Sequence, residues 1–230
     1  MIKMSRRCKI VKKKNLVEFV ILGERNSGTN YLEKLLITNF NTKWNREYGS
    51  KHFFGFDDYS KNSNNILFIC IIRNFTDWAN STFQKPYHLQ RDLRISKDNF
   101  LNLEFWSYND EFSGMTDDRL GKEIMEDRNI YTKKRYKNIF ELREKKLKYL
   151  SEDLKDQVKN YILIKYEDLV NNFEDTMKKI KNLNLLEIKV KNFPQNIHQV
   201  GIKTTKKIIF KEDIVRHPDY NFELEKKFYN

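Results

Sequence analysis

Apolar positions along the chain fall into two kinds of segment. Residues 17–22, 66–72 and 161–165 are short, nearly unbroken runs of β-branched and aromatic residues, such as Ile-Leu-Phe-Ile-Cys-Ile-Ile before Arg73. Such runs suit strands covered on both faces in a parallel sheet. Elsewhere the apolar residues recur at helical spacing: Leu32, Leu35, Leu36 and Phe40 within 28–40; Leu142, Leu147, Leu150, Leu154 and Val158 within 141–160; and Phe173, Met177, Ile180 and Leu183 further on. These stripes predict helices with one face on a sheet. Strands alternating with helices define an α/β chain, a three-layer α/β/α arrangement around a mainly parallel sheet, with ligands bound beyond the carboxyl ends of the strands. Residues 85–137 are charged, aromatic and weakly periodic, and are expected to be mostly helical.

There is no internal repeat and no clear linker, and 230 residues suffice for one sizeable core, so a single domain over 1–230 is expected. Within it, 1–14 form a basic N-terminal segment and 195–230 a C-terminal lid and tail. Lysine and arginine outnumber acids 44 to 32, a formal charge of +12. Much of this is lysine spread through the chain, as on any solvated surface. The sharper readings are a polyanionic cofactor, an anionic acceptor or nucleic acid. Cys8 and Cys70 have no metal-binding spacing, and Cys70 lies in an apolar run as a small buried hydrophobe. Residues 1–14 lack the apolar stretch of a signal peptide, and the longest apolar run is too short to cross a bilayer, so a soluble, cytoplasmic protein without membrane insertion is expected.

The strongest chemical signal is Gly23-Glu24-Arg25-Asn26-Ser27-Gly28-Thr29-Asn30, which joins the first predicted strand to the first predicted helix. Glycines there let backbone N–H groups converge on an anion at a helix N-terminus; the plainer reading is a tight turn with Ser27 or Thr29 capping the helix. The spacing from Gly23 to Gly28 matches the nucleotide P-loop, but Thr29 replaces its lysine and Asn30 its Ser/Thr. A kinase would thus lack its phosphate lysine and its magnesium hydroxyl. After residues 66–72, where such an enzyme places an aspartate for magnesium, stands Arg73, with Ser81 eight positions on. Arginine and a hydroxyl two helical turns apart suit a phosphate rather than a metal.

Arg25 to Asn30 resembles the 5′-phosphosulfate loop of sulfotransferases, Arg73 with Ser81 resembles their 3′-phosphate motif, and the strand followed by Tyr166-Glu167-Asp168 resembles the next segment of that family, in the same order. The resemblance spans roughly residues 17–180. It implies a P-loop-like fold, 3′-phosphoadenosine 5′-phosphosulfate as donor, 3′-phosphoadenosine 5′-phosphate as product, and no metal. It further implies that Arg25, Asn26, Ser27, Gly28, Thr29 and Asn30 hold the phosphosulfate, Arg73 and Ser81 the 3′-phosphate, and that Tyr166 lies near the adenine, although an aromatic ending a buried strand is also ordinary core. Lys51-His52 is similar to the segment that supplies the base, making His52 the proton acceptor, with Lys51 and Arg25 as charge-stabilising partners. The alternative for His52 is a ring satisfied by a backbone carbonyl beside packed aromatics, and His88 is the competing base. His198 and His217 lie outside any motif.

Asn26 departs from the family, where lysine is usual, so the positive group facing the sulfuryl is assigned to Arg25; Phe75 stands where proline is common. For the C-terminal basic lid, Gly201, Lys203, Lys206 and Lys207 are the candidates. Trp78, Trp106 and Tyr108 suit either packing or an acceptor cleft. The implied activity is in-line sulfuryl transfer to a hydroxyl or amine on an anionic glycan, a small alcohol or phenol, or a protein. The rival readings are a P-loop nucleotide kinase or phosphotransferase and a non-catalytic basic nucleic-acid-binding protein, the latter favoured only by net charge.

Overall fold

The computed structural model describes residues 15–111, 118–197 and 210–229. Strand β1 (Glu18–Leu22) leads through a tight loop into helix α1 (Thr29–Asn39); the short strand β2 (Lys43–Trp44), strand β3 (Ile66–Ile72) and helix α2 (Phe75–Gln84) follow. Beyond α3 (Lys97–Asn102) come α4 (Ile139–Lys148) and α5 (Leu154–Gln157), joined through a π-helical turn at Tyr149–Asp153. Strand β4 (Tyr161–Lys165) precedes α6 (Tyr166–Asn171), α7 (Phe173–Asn182), α8 (Lys211–Arg216) and α9 (Phe222–Tyr229).

The strands form one parallel sheet in the order β2-β1-β3-β4. β3 lies at its centre with every side chain buried, as its unbroken apolar run requires. Alternation along the pleat divides the core in two. Phe19, Ile21, Leu67, Ile69 and Ile71 meet Leu32, Leu35 and Leu36 of α1 and Leu169, Met177 and Ile180 of α6 and α7. Val20, Leu22, Phe68, Cys70 and Ile72 face the other way, onto Leu147, Leu150, Leu154 and Leu224. Each such Leu, Ile or Phe contributes roughly 1.5–3 kcal/mol when fully buried. Helices on both faces leave the carboxyl ends of the strands as the open edge of the sheet, which is where the site forms.

Three expectations from the sequence need correction. Residue 17 is outside β1, its side chain 59% exposed. Residues 85–137 are not mostly helical: among those described, helix is limited to α3 and short 3₁₀ turns such as Arg91–Arg94, and antiparallel bridges link Leu89 to Ser107, Phe105 to Tyr136 and Tyr108 to Glu123. The reason is that its apolar residues answer to partners distant in sequence: Leu89, Leu93, Phe100 and Phe105 pack with Phe75 and Trp78 of α2 and with Phe210 and Ile214. Nor is the described C-terminal part a peripheral tail, since Phe210 and Ile214 enter that cluster and Leu224 enters the core beneath the sheet. His198, Gly201, Lys203, Lys206 and Lys207 lie outside the described residues, as do Cys8 and the basic segment 1–14. Among the described residues no helix is long and apolar enough to cross a membrane.

Candidate functional site

Register brings the motifs together. Ile72 pairs with Lys165, so the residues that follow, Arg73 and Tyr166, emerge side by side, and the Arg73 guanidinium carbon lies 4.8 Å from the Tyr166 ring centroid. On the other side of β1, the Gly23 N–H donates to the Lys51 carbonyl at 2.9 Å, bringing His52 alongside the loop. Between these segments opens a cavity of about 420 Å³, lined by Arg25, Asn26, Gly28, Thr29, Asn30, Tyr31, His52, Arg73, Ser81, Lys85, Tyr87, His88 and Tyr166. Among the described residues its wall holds the cations Arg25, Arg73 and Lys85 and not one carboxylate.

The loop is built on left-handed backbone at Asn26 (φ 63°) and Gly28 (φ 97°). Gly28 begins α1 without a side-chain cap, and its carbonyl accepts from the N–H groups of Tyr31 and Leu32. The amides of Thr29 and Asn30, in the first turn, therefore have no carbonyl within the helix to pair with. Such amides and the positive end of the helix dipole attract an anion. Ser27 is turned inward, its hydroxyl donating to the Glu24 carbonyl at 2.6 Å, so only its place in the loop serves the cavity. Asn26 ties the loop to α2: its amide nitrogen donates to Thr82 Oγ1 and to the Lys85 carbonyl, each at 3.4 Å, while its own carbonyl accepts from Arg73 Nη1 at 3.0 Å.

Arg73 stands at the end of β3, and α2 starts from Asn74, whose side chain accepts from the Asp77 N–H. Glu167 accepts from the Asn74 N–H at 2.8 Å and so pins this turn to the end of β4. Arg73 Nε is buried with no hydrogen-bond partner among the described residues. Ser81 on α2 and Lys85, the residue that caps the C-terminus of that helix and donates its N–H to the Ser81 carbonyl, both line the cavity. Lys85 was missed in the sequence, although its spacing of four from Ser81 was the available signal.

Arg25 is 9% exposed; its Nη2 donates to Ser107 Oγ at 2.8 Å and Asp127 Oδ2 at 3.0 Å, and Nη1 is buried with no partner among the described residues. Lys51 is placed differently from the expected role: its Nζ is held by Asn30 Oδ1 and by Glu33 at 3.2 Å, and it does not line the cavity. His52 does. Its Nδ1 lies 2.8 Å from the Gly23 carbonyl, which only accepts, so Nδ1 carries the proton and Nε2 is left with a lone pair. Burial pulls the ring pKa down to about 3, opposed by that hydrogen bond and aided by Lys51, Arg25 and Lys146. His88 lines the same cavity, with Nδ1 3.1 Å from the Tyr108 carbonyl, and burial with Arg25 lowers its pKa as well. Trp78 packs rather than lining the cavity, its Nε1 donating to the Arg25 carbonyl at 2.7 Å.

No family model matches the chain, and neither curated proteins nor solved structures yield a similar one.

Proposed function

We propose that this chain is a sulfotransferase of P-loop-like architecture, moving the sulfuryl group of 3′-phosphoadenosine 5′-phosphosulfate to an acceptor hydroxyl or amine. The observation that carries the reading is the cavity wall: three cations, first-turn helix amides and, among the described residues, no carboxylate. That donor set fits a ligand with two separated anionic groups. The Arg25 end, with the Gly28–Asn30 turn, suits the phosphosulfate; Arg73, Ser81 and Lys85 suit the 3′-phosphate; Tyr166 adds an aromatic ring to the same wall. A magnesium-dependent kinase is disfavoured, because Arg73 occupies the place of the metal-binding carboxylate and Thr29 that of the phosphate lysine.

In this mechanism His52 Nε2 takes the proton of the acceptor as its oxygen or nitrogen bonds to sulfur. The bond from sulfur to the bridging oxygen breaks, and its electron pair leaves on the phosphate of 3′-phosphoadenosine 5′-phosphate. Arg25 and the loop amides stabilise the charge developing there. An anionic donor offsets the three cations that depress the His52 ring and so raises its basicity in the complex.

The test is thermal unfolding with 3′-phosphoadenosine 5′-phosphate, with magnesium ATP and with polynucleotide. At a hundredfold excess over its dissociation constant the bisphosphate contributes about 2.7 kcal/mol, a melting shift of roughly 5–10 °C. Equal stabilisation by magnesium ATP would point to the kinase, and salt-steep binding of polynucleotide to the nucleic-acid reading.

A further inference from the structure

Asp127, in a segment without any motif, sits at the centre of a buried ionic cluster. Its Oδ2 accepts from Arg25 Nη2 at 3.0 Å and from the Ser107 hydroxyl, and its Oδ1 accepts from Lys146 Nζ. Ser107 Oγ also accepts from Arg25 Nη2, and Lys146 also donates to the His52 carbonyl at 3.1 Å. All four side chains are at least nine-tenths buried. Burial alone would raise the Asp127 carboxyl, but Lys146 and Arg25 more than offset it and hold it below its ordinary value, so it is ionised. Two acceptors on one guanidinium nitrogen fix the plane of a rigid fork on a residue that lines the cavity, and the other nitrogen, Nη1, has no partner among the described residues.

We propose that Asp127, with Ser107 in support, is a positioning residue that fixes the Arg25 guanidinium for contact with the 5′-anion of the ligand, and that Lys146 couples this arginine to the backbone of His52. The proposal rests on the reading of the cavity as a site for a 3′,5′-bisphosphorylated adenosine.

The sign of one substitution separates positioning from bulk electrostatics. Asp127→Asn removes a negative charge, which by Coulomb's law alone draws an anion in more strongly. Positioning predicts the opposite. Dissociation constants for adenosine 3′,5′-bisphosphate, 3′-monophosphate and 5′-monophosphate, measured by calorimetry on the full chain, resolve the two phosphate contributions. In Asp127→Asn the gain in affinity from the 5′-phosphate should fall roughly tenfold, the scale of one charge-assisted bond, while the gain from the 3′-phosphate stays as in the wild type. Adding Asp127→Asn to Arg25→Gln should cost nothing further, because Asp127 acts through that arginine.

A folded Asp127→Asn protein with an unchanged or larger 5′ contribution, or with losses additive to Arg25→Gln, overturns the proposal. If Asp127→Asn does not fold, Ser107→Ala removes one acceptor and no charge, and should lose part of the 5′ contribution; an unchanged value there overturns it equally. A wild-type protein that prefers the bisphosphate to neither monophosphate defeats the reading of the cavity instead.

Discussion

The Tyr166 ring lies directly over Gly28: a Cβ at that glycine would stand 2.4 Å from Tyr166 Cδ2. Gly28→Ala should therefore suffer twice, through about 1–2 kcal/mol for a left-handed φ and through overlap with the ring. Urea unfolding of Gly28→Ala, Tyr166→Leu and the double variant separates these costs. The double variant should be more stable than the two single losses added together, since the smaller side chain relieves the overlap but not the φ. Strict additivity would mean that the contact does not constrain the loop.

Arg73→Ala should lose most of the discrimination between adenosine nucleotides with and without a 3′-phosphate, a change of about 1.5–3 kcal/mol in relative binding. Ser81→Ala should lose less, since it removes a neutral hydrogen bond. Lys85→Ala, at the C-terminal cap of α2, should weaken the bisphosphate with a steeper loss at low salt, because Lys85 is exposed to solvent. Wild-type selectivity in Arg73→Ala would move the second anion site elsewhere.

His52 carries two separable expectations. If it accepts the acceptor proton, His52→Ala should lower kcat by roughly 10²–10⁴-fold with donor affinity nearly unchanged, and His88→Ala is the control for the other ring in the cavity. The second concerns stability. A ring pKa of about 3 in the folded state lies below the value near 6.5 in the unfolded chain, so between those values the unfolded state binds the extra proton. Stability should be unaffected by this group above about pH 6.5 and should fall as the pH drops, by up to about 1.4 kcal/mol per pH unit. Denaturant unfolding at pH 7 and pH 5 should show a smaller difference in His52→Gln than in the wild type; an equal difference would refute the buried neutral ring.

Arg143 is 3% exposed and holds the carboxylates of Glu24 and Glu225, and its Nη2 donates to the Arg73 carbonyl at 2.8 Å. Burial alone would lower its pKa, but Glu225 and Glu24 hold it above its ordinary value. Arg143→Ala strands two buried carboxylates and should cost about 3–5 kcal/mol in chemical unfolding. Because Glu24 belongs to the Gly23–Asn30 loop and Arg73 to the proposed 3′-phosphate site, nucleotide affinity should fall as well in whatever fraction remains folded.

Local pattern alone was enough to read β3, β4, α1, α7 and the loop from Gly23 to Asn30, because apolar periodicity and turn glycines act over a few residues and leave a visible spacing. Arg73 and Ser81 were legible for the same reason, as a strand end and a position two helical turns beyond it. What surrounds them was not. Asp127, in a segment whose residues have no regular period, meets Arg25 across 102 positions of sequence, and Lys146 reaches the His52 carbonyl across 94. Pairing of buried charges is set by which chains the fold brings within about 3 Å, and no local composition encodes that distance. Tertiary structure likewise separated two neighbours that the motif treated together, turning Lys51 to Glu33 while leaving His52 in the cavity wall. The register of β3 with β4, fixed by burial of both strand faces, decided that Arg73 and Tyr166 would stand beside each other.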